Sequence, residues 1–246
     1  MKAWLSISAF AVALSMHPAH AGNIAVNTET RTTPLVVGAG DWYATAPGTV
    51  TLNAGGSIVI TNASFQTILA QLSNGTSTIN INSGGSMDFS GASGNGKGLY
   101  LGNASSTATG IINVNGGFLG GAPLTDIVFG RSSARGEVNI STGSILFGAA
   151  PTFESGFINF TSDYGDSASL RVIGQNEAYF QGLFTAGTLR FQGGNTGTFS
   201  DHFQVNNDTL IVAVPEPSAA CLLGAGLTAL LIRRRHRSHA GLGLLH

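Results

Sequence analysis

Hydrophobic and polar residues alternate along the middle of this chain in an outline that keeps returning. Four segments share it: Val50-Thr-Leu-Asn-Ala-Gly-Gly-Ser-Ile58, Ile79-Asn-Ile-Asn-Ser-Gly-Gly-Ser-Met87, Ile112-Asn-Val-Asn-Gly-Gly-Phe-Leu119 and Val138-Asn-Ile-Ser-Thr-Gly-Ser-Ile145. Each reads apolar–polar–apolar, then a polar and glycine corner, then another apolar residue. A period of two marks a half-buried strand, and glycine supplies the positive φ that a tight corner needs. The copies start 29, 33 and 26 residues apart. Matching strands lie between them, at Leu99-Tyr-Leu-Gly-Asn103 and Ile127-Val-Phe-Gly-Arg131, and a weaker fifth copy runs from Leu170 to Tyr179 with Gly174 and Asn176 at its corner. A unit of this size suits one coil of a β-solenoid, so the expected fold is all-β and similar to a parallel β-helix.

Asn53, Asn82 and Asn115 fall at the same corner of successive units. Any one of them is explained by turn chemistry, since asparagine tolerates the left-handed region. As a set they suggest a stacked, hydrogen-bonded ladder. One stretch departs from the alternation: Phe65, Ile68, Leu69 and Leu72 are spaced as on a helix, with Ser64 as N-cap and Asn74-Gly75 as the stop. The expectation is a short helix capping the first coil, whose edge would otherwise stay unpaired. From Phe153 to Ala213 aromatic residues become dense, which predicts continued β-structure with a bulkier core, or alternatively a small separate β-sandwich.

Both ends lie outside this pattern. Lys2, the apolar run Ala3–Met16 and Ala19-His20-Ala21 have the form of a signal peptide, with cleavage expected between Ala21 and Gly22. At the other end Val214-Pro215-Glu216-Pro217-Ser218 leads into the apolar run Ala219–Ile232, which stops at Arg233-Arg234-Arg235 with Arg237 just beyond. Pro215 and Pro217 keep the backbone before them extended, a form that a processing enzyme can grip. As a helix the apolar run reaches roughly 21 Å against a bilayer core of about 30 Å, a length that snorkelling arginines can extend. The positive-inside rule leaves the arginines cytoplasmic. An ordinary tail anchor is the plain alternative. The order of motif, apolar helix and basic stop resembles the PEP-CTERM sorting signal that exosortase enzymes recognise at the inner membrane of Gram-negative bacteria. That resemblance covers Val214 to Arg237. It implies a surface or matrix protein delivered through the envelope, often alongside exopolysaccharide. The repeats in turn look like the low-complexity β-helical passengers of autotransporters.

The expected organisation is therefore a signal peptide (1–21), solenoid repeats (22–152), an aromatic-rich β region (153–213), the sorting signal (214–237) and a cytoplasmic tail (238–246). Removing the ends leaves six Lys and Arg against eleven Asp and Glu, a formal charge near −5. Such a sparse, mildly acidic surface argues against nucleic acid as a partner. The single cysteine, Cys221, lies in the apolar tail, so no disulfide or thiolate chemistry is expected of the folded domain.

Candidate chemistry is thin. No phosphate-binding loop, zinc-protease motif or nucleophile elbow is present. His202 is the one histidine between Gly22 and Ala213, and Ser200, Asp201 and His202 are too close in sequence to converge as a triad. The carboxylates Asp88, Asp126, Glu137, Glu154, Asp163, Asp166 and Glu177 are scattered. Asp163-Tyr-Gly-Asp166 could share one calcium ion but lacks the remaining ligands. Arg131 and Arg135 flank a loop that could meet an anionic glycan. The sequence thus points to an exported structural or adhesive protein with no metal or cofactor. Its partners would be signal peptidase and the secretion machinery, an exosortase-type enzyme during transient membrane insertion, and exopolysaccharide outside the cell. A β-helical carbohydrate-active enzyme and a glycan-binding module are the alternatives.

Overall fold

The computed structural model describes residues 20–21, 24–39, 41–61, 66–71, 75–92, 98–102, 107–162 and 167–213. The first strands are β1 (His20–Ala21), β2 (Ile24–Arg31), β3 (Pro34–Ala39), β4 (Trp42–Leu52), β5 (Ser57–Ile60) and β6 (Gln66–Gln71). They continue as β7 (Gly75–Asn82), β8 (Ser86–Asp88), β9 (Gly98–Leu101), β10 (Ala108–Gly121), β11 (Asp126–Phe129) and β12 (Arg135–Phe147). The last are β13 (Thr152–Phe153), β14 (Gly156–Phe160), β15 (Ala168–Val172), β16 (Leu189–Phe191), β17 (Phe203–Asn206) and β18 (Thr209–Val212). Two helices, α1 (Glu177–Thr185) and α2 (Phe199–His202), lie near the end. The all-β expectation holds.

Nearly every pairing is parallel, and the pairings fall into three ladders. The first stacks Thr28–Arg31 of β2, Gly48–Leu52 of β4, β7, the front of β10, the front of β12, β14 and β16. The second stacks β1, β3, β5, β8, the back of β10, the back of β12 and β15. The third stacks the start of β2, the start of β4, β6, β9, β11 and β13. Through the repeats the chain visits third, first and second ladder in that order. Strands β2, β4, β10 and β12 each serve two ladders by bending between them. Register keeps like over like: Val50, Ile79, Ile112, Val138, Ile158 and Leu189 stand in one column, all fully buried. One apolar cluster runs unbroken from Leu35 to Val212. Burying each such side chain contributes roughly 1.5–3 kcal/mol.

The paired glycines at the corner between the first and second ladders do two different jobs. The leading ones, Gly55 and Gly84, have φ of 81° and 75°, the left-handed geometry the sequence pattern anticipates. The trailing ones are needed for room. A Cβ on Gly56 would stand 2.2 Å from the Arg31 carbonyl oxygen, and one on Gly85 would stand 2.3 Å from that of Leu52. Each trailing glycine therefore lets its segment lie close against the strand stacked before it.

The helix expected near the start is not there. Gln66–Gln71 is strand β6, with Trp42–Ala44 of β4 on one side and Leu99–Leu101 of β9 on the other; Ser64, Phe65, Leu72 and Asn74 lie outside the described residues. The reason is the ladder. A strand at that level satisfies backbone groups on both neighbours, which a helix of the same sequence would leave unpaired. The open edge of the first ladder is finished by charge instead. Glu29 and Arg31 align with Val50 and Leu52, so they occupy core columns at the last level, where they form an ion pair with each other. Inward-pointing charge on an edge strand discourages another strand from docking there.

Helices close the opposite end, within the stretch expected to remain β. Beyond Gly174 (φ 76°) the fifth repeat stops, because Asn176 caps α1 by accepting the Tyr179 N–H at 3.2 Å. Phe180 and Phe184, one helical turn apart, are then buried. The β17–β18 hairpin lies antiparallel on β15. Phe203 gathers the rings of Phe160, Phe199, Phe191 and Phe184 at centroid distances of 5.2, 5.5, 5.9 and 6.0 Å. β14 and β15 extend the first two ladders, so these residues add to the same sheet.

Two alanine substitutions separate the corner from ordinary glycine effects. Gly85→Ala forces apart two stacked segments and should cost more than about 2 kcal/mol. Gly182→Ala, mid-helix with nothing within 4 Å of the new Cβ, should stabilise by up to about 1 kcal/mol. Urea unfolding of the two variants measures both.

Candidate functional site

Polar columns run along the outside of the first ladder. At the corner, Asn82 Nδ2 donates to Asn53 Oδ1 at 2.9 Å, Asn115 Nδ2 to Asn82 Oδ1 at 3.5 Å, and Ser141 Oγ to Asn115 Oδ1 at 3.0 Å. This is the ladder that the sequence suggested as a set. A second column was missed: Asn113 donates to Asn80 at 2.9 Å, Asn139 to Asn113 at 3.0 Å and Asn159 to Asn139 at 3.1 Å. Gly193 N–H closes it onto Asn159 Oδ1 at 2.9 Å. Its signal was legible, since Asn80, Asn113 and Asn139 occupy the polar place between the two apolar residues of three repeats. A carboxamide both donates and accepts, so identical residues one strand apart satisfy each other. Below the second column the same position holds Thr51 and Thr30.

Aromatic rings and guanidiniums pair in two places. Phe157 lies between two arginines, with Arg190 Cζ 3.9 Å and Arg135 Cζ 5.2 Å from its ring centre. Arg131 Cζ sits 4.6 Å over the Tyr100 ring. Three of the six basic residues between Gly22 and Ala213 thus lie over aromatic rings, a pairing that composition does not reveal. They are engaged: Arg135 pairs with Glu137, and Arg190 Nε donates to Gly187 O at 2.9 Å. Contacts of this kind are worth roughly 0.5–2 kcal/mol each.

The candidate carboxylates are spread over the fold and hold local structure. Asp88 accepts the Ser90 N–H at 2.8 Å, Asp126 accepts the Tyr100 hydroxyl, Glu137 holds Arg135 and Glu177 accepts from Gln181 at 2.9 Å. Glu154 is exposed in the turn after β13. Asp163 and Asp166 lie outside the described residues, as do Gly22, Val214–Ser218, Arg233–Arg235 and Arg237; Ala21 is in β1, opposite Ala39. Among the described residues no group of three His, Cys, Asp or Glu gathers as metal ligands, and no helix is long and apolar enough to cross a membrane. His202 is half-buried at the capped end, stacked on Phe191 with centroids 4.8 Å apart and its Nε2 2.7 Å from Thr196 O. Asp201 accepts the Thr198 N–H at 2.7 Å. That bond, the Thr198 hydroxyl and the nearby His202 hold its carboxyl below the usual aspartate value.

One groove of about 450 Å³ opens at this end, between α1 and the loop entering α2. Phe184 and Phe199 form its floor, with Gln181, Thr185, Asn195, Thr198 and Ser200 around it. Asn195 Nδ2 fixes the loop by donating to Phe184 O at 3.2 Å.

No protein-family model, curated protein or solved structure matches the chain.

Two measurements probe this surface. Asn113→Ala strips a donor and an acceptor from the middle of its column and should cost about 1–3 kcal/mol in urea unfolding. Alkaline titration probes the tyrosines. Burial first, then the hydrogen bond to Asp126, pushes the Tyr100 hydroxyl up to about 12, and burial alone pushes Tyr179 to about 12. The unfolded chain ionises near the ordinary value of 10, before the folded one. Stability should therefore hold below pH 10 and fall between about pH 10 and 12. The double variant Tyr100→Phe/Tyr179→Phe should flatten that fall in denaturation series run across the window.

Proposed function

We propose that the chain is an exported structural or adhesive protein of the cell surface or extracellular matrix, folded as a β-solenoid and sorted by its C-terminal tail. The observation that carries this reading is the column construction. Three parallel ladders, visited in a fixed order, turn each repeat position into a continuous stripe. Apolar stripes make a rigid core, and stripes of Asn, Thr and Ser cover the first face. Such a body presents a regular hydroxyl and carboxamide surface without needing disulfides. The carboxylates support the same reading, because Asp88, Asp126, Glu137 and Glu177 already serve turns, rings and ion pairs. The Glu29–Arg31 pair at one end and the helices and hairpin at the other favour display along the sides.

Delivery is assigned to the termini. Cleavage between Ala21 and Gly22 by signal peptidase would remove the two residues of β1. The tail from Val214 to Arg237 resembles the PEP-CTERM signal, with Val214–Ser218 as the recognition motif, Ala219–Ile232 as a transient inner-membrane helix and the arginines as its cytoplasmic stop. An exosortase-type enzyme would then release the body towards exopolysaccharide outside the cell. The groove at the capped end favours glycan binding as a second reading of the same exported protein.

Intact mass of the native protein in envelope and medium fractions tests the assignment. A chain beginning at Gly22 and ending between Pro215 and Ser218 is expected. A chain that still ends at His246 and stays in the membrane would replace sorting with permanent anchoring.

A further inference from the structure

The groove between α1 and α2 combines features that select a ligand class. Its floor is aromatic and its rim is made of carboxamides and hydroxyls, with no charged side chain in the lining. Gln181, Asn195 and Ser200 each have hydrogen-bonding capacity beyond the bonds that hold the cap together. Gly197 lines the groove as well, at a φ of 82°. A Cβ there would come within 3.1 Å of Asp201 Oδ2 and 3.2 Å of His202 Nε2. Any side chain there would crowd both groups, so this edge of the groove needs glycine. A lining with no charged group offers no counter-charge to a buried anionic ligand. A wholly apolar ligand would strip water from the polar rim without replacing its hydrogen bonds. The volume falls within the ~300–1,000 Å³ typical of small-molecule sites.

We propose that this groove binds one neutral pyranose unit of a polysaccharide. The apolar C–H groups of the sugar pack against Phe184 and Phe199, and its hydroxyls bond to Gln181, Asn195 and Ser200. The site gives the adhesive reading a ligand class, and rests on that reading only for the sugar being met outside the cell. Acidic glycans are the competing class, and they would be drawn to the arginines around Phe157.

Saturation-transfer NMR on the full chain, held in sugar-free amine-oxide micelles, tests the site. The probes are maltohexaose, cellohexaose and mannohexaose, with hexagalacturonate as the acidic control. At least one neutral probe should receive saturation from the aromatic protons, strongest at ring C–H protons of a single sugar face. Ser200→Trp fills the groove from an exposed position and should weaken that binding about tenfold or more, with the melting temperature unchanged. Gln181→Ala, at the opposite rim, should weaken it less while leaving the fold intact. Saturation of hexagalacturonate alone, of none of the four, or of a neutral probe whose binding survives Ser200→Trp would overturn the proposal. None of these outcomes bears on the intact mass, so the sorting assignment stands or falls separately.

Discussion

Backbone pairing between parallel strands sets each strand about 4.8 Å from the next in its ladder, and that spacing governs the molecule. Once two strands are in register, a residue in one repeat has no choice of neighbour: it meets its counterpart. Side chains that are compatible with copies of themselves are therefore retained. Ile, Val and Leu interlock inside, and Asn satisfies Asn outside. The corner must then allow the strands to reach this spacing, which is why the trailing glycines Gly56 and Gly85 sit against carbonyl oxygens of the strand stacked before. A larger residue there would break the distance on which every column relies.

A structure that propagates so readily has to be stopped, and its two ends are stopped by different physics. At the start, Glu29 and Arg31 replace apolar residues in the final level of two core columns. Their pairing makes the edge tolerable to this chain and unattractive to another. At the far end the columns close under α1, α2 and the antiparallel hairpin, whose rings converge on Phe203. The repeated body stays regular, and irregular features gather in this cap. The groove, the His202 stack and the Thr198–Asp201 bond all occur where register no longer dictates who meets whom.

Sparse charge fits the same constraint. A like charge in the same position of successive strands would repeat at about 4.8 Å and repel itself. Glu137 avoids this by standing between Ile111 and Phe157 in its column. In the third ladder Asp126 aligns with Gly98 and accepts the Tyr100 hydroxyl from that neighbouring strand. Asparagine needs no alternation, because it carries both a donor and an acceptor.

The sequence by itself determined the strands of the four repeats, their glycine corners and the first asparagine column. Each depends on residues that recur at the same place in a repeat, and the alternation of Val50–Leu52, Ile79–Ile81 and Ile112–Val114 states the buried face directly. The second column was equally written in Asn80, Asn113 and Asn139. The cap of α1 was legible too, in Asn176 and the buried pair Phe180 and Phe184, though aromatic density drew attention to strands instead. Other features were decided only by the tertiary structure. Gln66–Gln71 carries a helical spacing yet forms a strand, since the neighbouring strands offer backbone partners on both sides. Arg190 meets Phe157 and Glu29 turns inward because of where stacking places their strands. Local periodicity reports which face of a strand is buried, whereas the neighbour that a face meets follows from how the strands stack.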